Sequence, residues 1–116
     1  MSLLEMVNGC RWRWGSDAEL HLFEGTLEVM GVPCEAVQCR SSHVDWDIIF
    51  LSPSPIATKP GTRRAWFKTI SARLEEAGHE FRQGCGFCIY LAGIVVDGTL
   101  ILPSREDYEE AARKSY

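Results

Sequence analysis

The segment from Thr62 to Ala77 limits the fold of this chain more than any other. Trp66, Ile70, Leu74 and Ala77 recur at intervals of three and four residues, with Phe67 beside them, which predicts one apolar stripe along an α-helix. Both ends are marked. Ser52-Pro53-Ser54-Pro55-Ile56-Ala57-Thr58-Lys59-Pro60-Gly61 precedes the helix, and its three prolines exclude helix and sheet interior alike. Gly78 follows at the position where a left-handed residue closes a helix. A helix with a single stripe must bury it against other elements, so the flanking segments have to supply that surface.

Those segments read as mixed α and β. Cys10-Arg11-Trp12-Arg13-Trp14 alternates with period two, which in a strand puts both tryptophans on one face and both arginines on the other. Gly15-Ser16-Asp17 supplies a turn and a helix N-cap. From Asp17 to Met30, Leu20, Phe23, Leu27 and Met30 fall at helical spacing and predict an amphipathic helix, weakened by about 1 kcal/mol at Gly25 and closed by Gly31. The same stretch also reads as a hairpin of Glu19–Phe23 and Thr26–Met30. Val32 to Cys39 predicts a strand, and His43 to Leu51 a central one because Ile48-Ile49-Phe50-Leu51 is continuously apolar. After the second helix, His79-Glu80-Phe81 starts another strand. Phe87–Val96 and Thr99–Leu102 form a hairpin around Asp97-Gly98. Arg105–Lys114 is a short helix, acidic first and basic last, as the helix dipole prefers.

The predicted order is β-α-β-β-α-β with an extra C-terminal hairpin strand and helix, an α+β chain with the split arrangement of ferredoxin-like folds. One domain is expected from 116 residues with 46% hydrophobic and 24% charged composition, which also excludes disorder. A chain of this size buries roughly two thirds of its unfolded surface and needs no metal or disulfide staple. The longest apolar run, Ile89 to Val96, is far short of a bilayer span, and the first residues lack a secretory pattern, so a cytoplasmic protein with no membrane role is expected.

Five cysteines, an odd number, argue for reduced thiols. Cys34, Cys39, Cys85 and Cys88, with His43 nearby, offer the soft ligands that tetrahedral zinc takes. The odd separation of Cys34 and Cys39 in a strand puts them on opposite faces, however, so buried thiols account for the cysteines better. A redox reading of Cys85-Gly86-Phe87-Cys88 lacks the following helix that would stabilise a thiolate. Asp45 and Asp47 share a strand face and would suit Mg²⁺, but neither a nucleotidyltransferase nor a nuclease pattern surrounds them. His21 and His79 have no partner acid or nucleophile in the sequence. Enzyme chemistry therefore has no motif to stand on.

Charge is the remaining signal. Ile48 to Leu74 holds five basic residues and no acid, whereas the rest carries seven basic and sixteen acidic, so +5 stands against −9 within a net −4. Lys59, Arg63 and Arg64 cluster at the start of the second helix, with Lys68 and Arg73 further along. A helix N-terminus is where anions settle. The expectation is a small binding protein, an adaptor or an inhibitor of the compact kind that mobile elements encode. It would act on another protein through this basic face, with Trp12 and Trp14 as a second contact. The alternative is a metal-dependent enzyme or binder of a phosphate-bearing substrate, using the Pro-rich loop and the paired aspartates. A nucleic-acid binder that stacks bases on tryptophan and a homodimer through an open sheet face are further expectations.

Overall fold

The computed structural model of the chain describes residues 3–8, 21–40, 45–53, 60–84 and 86–113. Among them the element order is α1 (Leu3–Asn8), β1 (His21–Val29), β2 (Val32–Cys39), β3 (Asp47–Ser52), α2 (Pro60–Glu76), β4 (Arg82–Gln83), β5 (Ile89–Val96), β6 (Thr99–Ile101) and α3 (Arg105–Arg113). The strands lie in the order β1-β2-β3-β5-β4, and β6 pairs with the far end of β5. Every pairing is antiparallel. The result is a small α+β fold.

The strand order does not reproduce the ferredoxin-like arrangement, in which helical crossovers join parallel strands. The physical reason lies in β1. Phe23, Gly25, Leu27 and Val29 alternate with exposed Leu22, Glu24, Thr26 and Glu28, so the period is two and the predicted helix Asp17–Met30 is a strand over its described part. The alternative hairpin within that stretch also gives way, because β1 runs unbroken through Gly25 and turns only at Met30-Gly31. There φ is 51° at Met30 and 80° at Gly31, the two positive values of a type I′ turn. Gly31 is thus a hairpin residue and closes no helix. Asp97 and Gly98 form the second such turn, as expected, with φ of 50° and 75°.

Two apolar clusters lie on the two faces of the sheet. Leu27, Val29, Val32, Cys34, Ala36, Ile49, Leu51, Ile89 and Leu91 meet Trp66, Ile70 and Leu74 of α2. Burying a side chain of that size stabilises by about 1.5–3 kcal/mol, so the three from α2 fix this helix on the sheet. Trp66 Nε1 also donates to the Pro33 carbonyl at 3.1 Å, and Arg73 Nη1 donates to the Met30 carbonyl at 2.5 Å. On the opposite face Ile48 and Ala92 pack with Leu3 and Val7 of α1 and Ala111 of α3. Asp107 and Ser104 cap α3 reciprocally: the Asp107 amide donates to Ser104 Oγ, and the Asp107 carboxylate accepts from the Ser104 amide and hydroxyl.

The far end of β5 folds over. β6 lies against β1, and Leu100 joins the α2-side cluster. Gly93 makes the fold-over possible. A Cβ there would stand 3.0 Å from Leu100 Cδ1, 3.1 Å from Ile49 Cγ1 and 3.2 Å from the Ile101 carbonyl oxygen. The α2 helix also ends as expected. Gly78 has φ of 79°, its amide donates to the Glu75 carbonyl and that of His79 to the Leu74 carbonyl, the paired bonds of a Schellman motif.

Candidate functional site

The residues singled out by charge spread along α2, and the structure sorts them. Arg63, Arg64 and Lys68 are exposed on its N-terminal half. At 100° per residue Arg64 and Lys68 stand one above the other on the side away from Ile70. The Arg64 guanidinium lies 5.9 Å from the centroid of Phe87, whose ring packs 6.0 Å from that of Phe67. Arg63 and Lys68 make no hydrogen bond or ion pair among the described residues. Arg73, on the other flank, is occupied in tying α2 to the β1–β2 turn, so it leaves the basic cluster. Lys59, Trp12 and Trp14 lie outside the described residues.

Arg63 and Arg64 stand near the unfavourable end of their helix. The first turn of α2 carries no acid, and its only basic residue in the last turn is Arg73. A cation near a helix N-terminus opposes the dipole at a cost of about 0.3–1 kcal/mol. Arg64 and Lys68, four apart, add a like-charge penalty of about 0.2–0.5 kcal/mol. The cation–π contact of Arg64 offsets part of this, and nothing among the described residues offsets Arg63 or Lys68.

The cysteines separate as their spacing implies. Cys34 is buried under α2, where its Sγ donates to the Val32 carbonyl at 3.3 Å and burial pushes the thiol up to about 11. Cys39, equally buried, pairs with Ile48, whose side chain belongs to the cluster on the other face. The two thiols cannot meet on one ion, which removes the four-cysteine site as drawn. Cys88 is half-buried, and Cys85 and His43 lie outside the described residues.

Asp45 is exposed, and Asp47 is half-buried just inside β3. Gln38, only 2% exposed, donates its Nε2 to Asp47 Oδ2 at 2.7 Å and accepts the Val95 amide on its Oε1 at 3.3 Å. Gln38 therefore bridges β3 and the folded-over end of β5, with the Asp47 carboxylate as one of its anchors.

A cleft that the sequence did not indicate lies around His79. It has a volume of about 580 Å³ and is lined by Glu76, His79, Glu80, Pro103, Tyr108 and Glu109 among others. A smaller cleft of about 440 Å³ shares His79 and Glu80 and reaches Leu4 and Arg82. The imidazole Nδ1 is buried without a partner among the described residues, and burial lowers the His79 pKa from its ordinary 6.5. Glu80 ties the helices together: its amide donates to Tyr108 Oη, and its carboxylate accepts the Leu4 amide. Tyr108 stands 28 residues from Glu80, so no local spacing could have signalled the pair. The cleft lies at the junction of α1, α2 and α3.

Comparison with protein-family models, with curated proteins and with solved structures gives no match.

Proposed function

We propose that this chain is a protein-binding module, an adaptor or inhibitor, that docks the N-terminal half of α2 onto an acidic surface of another protein. One observation carries the reading. Arg63 stands exposed at the end of the first turn, where the helix dipole disfavours it, Lys68 stands exposed four residues from the like charge of Arg64, and neither is compensated among the described residues. Side chains that lower the stability of the free protein without a structural return are the ones an interaction explains. Phe87, half-buried beside Arg64, adds an apolar edge to the face. The net charge of −4 opposes a long polyanion and favours a partner whose negative charge is local.

The test is affinity capture with the wild-type chain and with Arg63→Glu/Lys68→Glu, the retained molecules being identified by mass spectrometry. A protein held by the wild type and lost from the variant is the expected result. The same set on both columns would refute the reading. Retention that a nuclease abolishes would move the assignment to nucleic acid. Thermal melting of both chains shows that the variant is folded.

A further inference from the structure

The sheet carries opposite charge on its two faces. α2 covers one face. On the other, α1 lies over β3 and β5 and touches α3, and the β1–β2 half is open to solvent among the described residues. The outer positions there are Leu22, Glu24, Thr26 and Glu28 of β1 with Glu35 and Val37 of β2. Register places Glu24 opposite Val37 and Thr26 opposite Glu35, and Thr26 Oγ1 holds the Glu35 carboxylate at 2.9 Å. Glu24 and Glu28 are exposed, Leu22 is 46% exposed, and none of these six outer positions carries a lysine or arginine.

We propose that copies of this chain associate head to tail, the basic half of α2 on one copy seated against the acidic β1–β2 face of the next. The inference rests on the binding role given to α2 above and adds that, without its partner, this face is occupied by a second copy. Arg63, Arg64 and Lys68 meet Glu24, Glu28 and Glu35, and the apolar edge at Phe87 has Leu22 and Val37 to cover. The two faces lie on opposite sides of one sheet, so two copies cannot satisfy both contacts by closing on each other. The contact is heterologous and propagates. The external partner and the next copy compete for the same helix.

Exposed ion pairs are individually weak, so the dissociation constant falls near the 1 mM end of the scale. Sedimentation velocity on the full chain, from about 10 μM to about 1 mM in about 50 mM and about 0.5 M salt, reads the prediction directly. At low salt and the highest concentration the weight-average mass should reach roughly twice the monomer mass of 13.1 kDa, and it should return to monomer at high salt. Arg63→Glu/Lys68→Glu and Glu24→Lys/Glu28→Lys should each stay monomeric alone, and an equimolar mixture of the two should associate again. A wild type monomeric throughout, a salt-independent assembly, a plateau at a closed dimer, or a silent mixture would each overturn the proposal. Should the glutamate variant not fold, Glu24→Gln/Glu28→Gln takes its place and must weaken association. Because the β1 variants leave α2 intact, capture of the external partner by them together with a monomeric wild type would sink this inference alone. Loss of neither property in the α2 variant would sink both.

Discussion

Replacing Gln38 by leucine tests whether the buried amide, and the aspartate it holds, are structural. The exchange keeps the approximate volume and removes both hydrogen bonds. The 2.7 Å bond to the Asp47 carboxylate belongs to the class worth about 1.5–3 kcal/mol, and the longer bond from the Val95 amide to about 0.5–1.5 kcal/mol. Asp47 and Val95 are both only half-buried, so water replaces part of what is lost and the expected cost falls to about 2 kcal/mol. Unfolding entropy of about 2.1 cal/mol/K per residue gives a chain of this length a shift of about 4 °C per kcal/mol, hence a Tm lower by about 8 °C. Calorimetry measures the shift, and native-state hydrogen exchange at the Val95 amide locates it. A Tm within about 2 °C of wild type with unchanged Val95 protection would show that the bridge contributes nothing. Asp45→Asn, which touches none of this, should leave the melting curve in place.

Gly78→Ala adds a methyl group with nothing within 4 Å, so the cost is that of a left-handed backbone alone, about 1–2 kcal/mol in urea denaturation. Gly93→Ala meets Leu100, Ile49 and a carbonyl oxygen together, and should cost about 1–3 kcal/mol by the same assay, with loss of amide protection in β6. Because burial lowers the His79 pKa, the unfolded chain binds the proton more readily. Stability is therefore full above 6.5 and declines as pH falls below it, a slope that His79→Gln should remove from a melting series. Iodoacetamide should leave Cys34 unmodified in the native protein and label it in urea, since the thiol is buried and titrates near 11. Arg63→Glu, finally, should raise the Tm while weakening binding, as the dipole argument requires; a fall in Tm would contradict it.

The parts of the fold legible in the sequence are those whose signal is local. Trp66, Ile70 and Leu74 of the apolar stripe, the Gly78 closure and the Asp97-Gly98 turn each depend on a few consecutive residues and stand where expected, whereas Ala77, the fourth member of the stripe, is exposed beyond the end of α2 at Glu76. β2 matches its expected bounds, and α3 is helical over Arg105–Arg113, the described part of its expected span. β1 misled because Phe23 and Leu27 satisfy both a helical and an alternating pattern. Its turn also has methionine at a position where asparagine, aspartate or glycine would have declared a hairpin. Pairing with β2 settled the ambiguity, and a long-range choice of that kind has no trace in the segment itself. The basic cluster was legible as composition. That Arg73 is engaged with Met30, and that Arg64 leans on Phe87, depended on partners 43 and 23 positions away.

The docking of α1 sets the order in which the chain can mature. Leu3, Leu4 and Val7 belong to the first of the described elements, yet α1 packs on β3, β5 and α3, all of them later in the chain. During synthesis those side chains emerge before the strands and the helix that cover them, and the cover is complete only once α3 has followed, while the β1–β2 hairpin can form early from neighbours alone. A ribosome stalled before β5 has emerged would thus hold a nascent chain with the apolar side chains of α1 uncovered and half a sheet, the kind of species that chaperones bind and proteases clear.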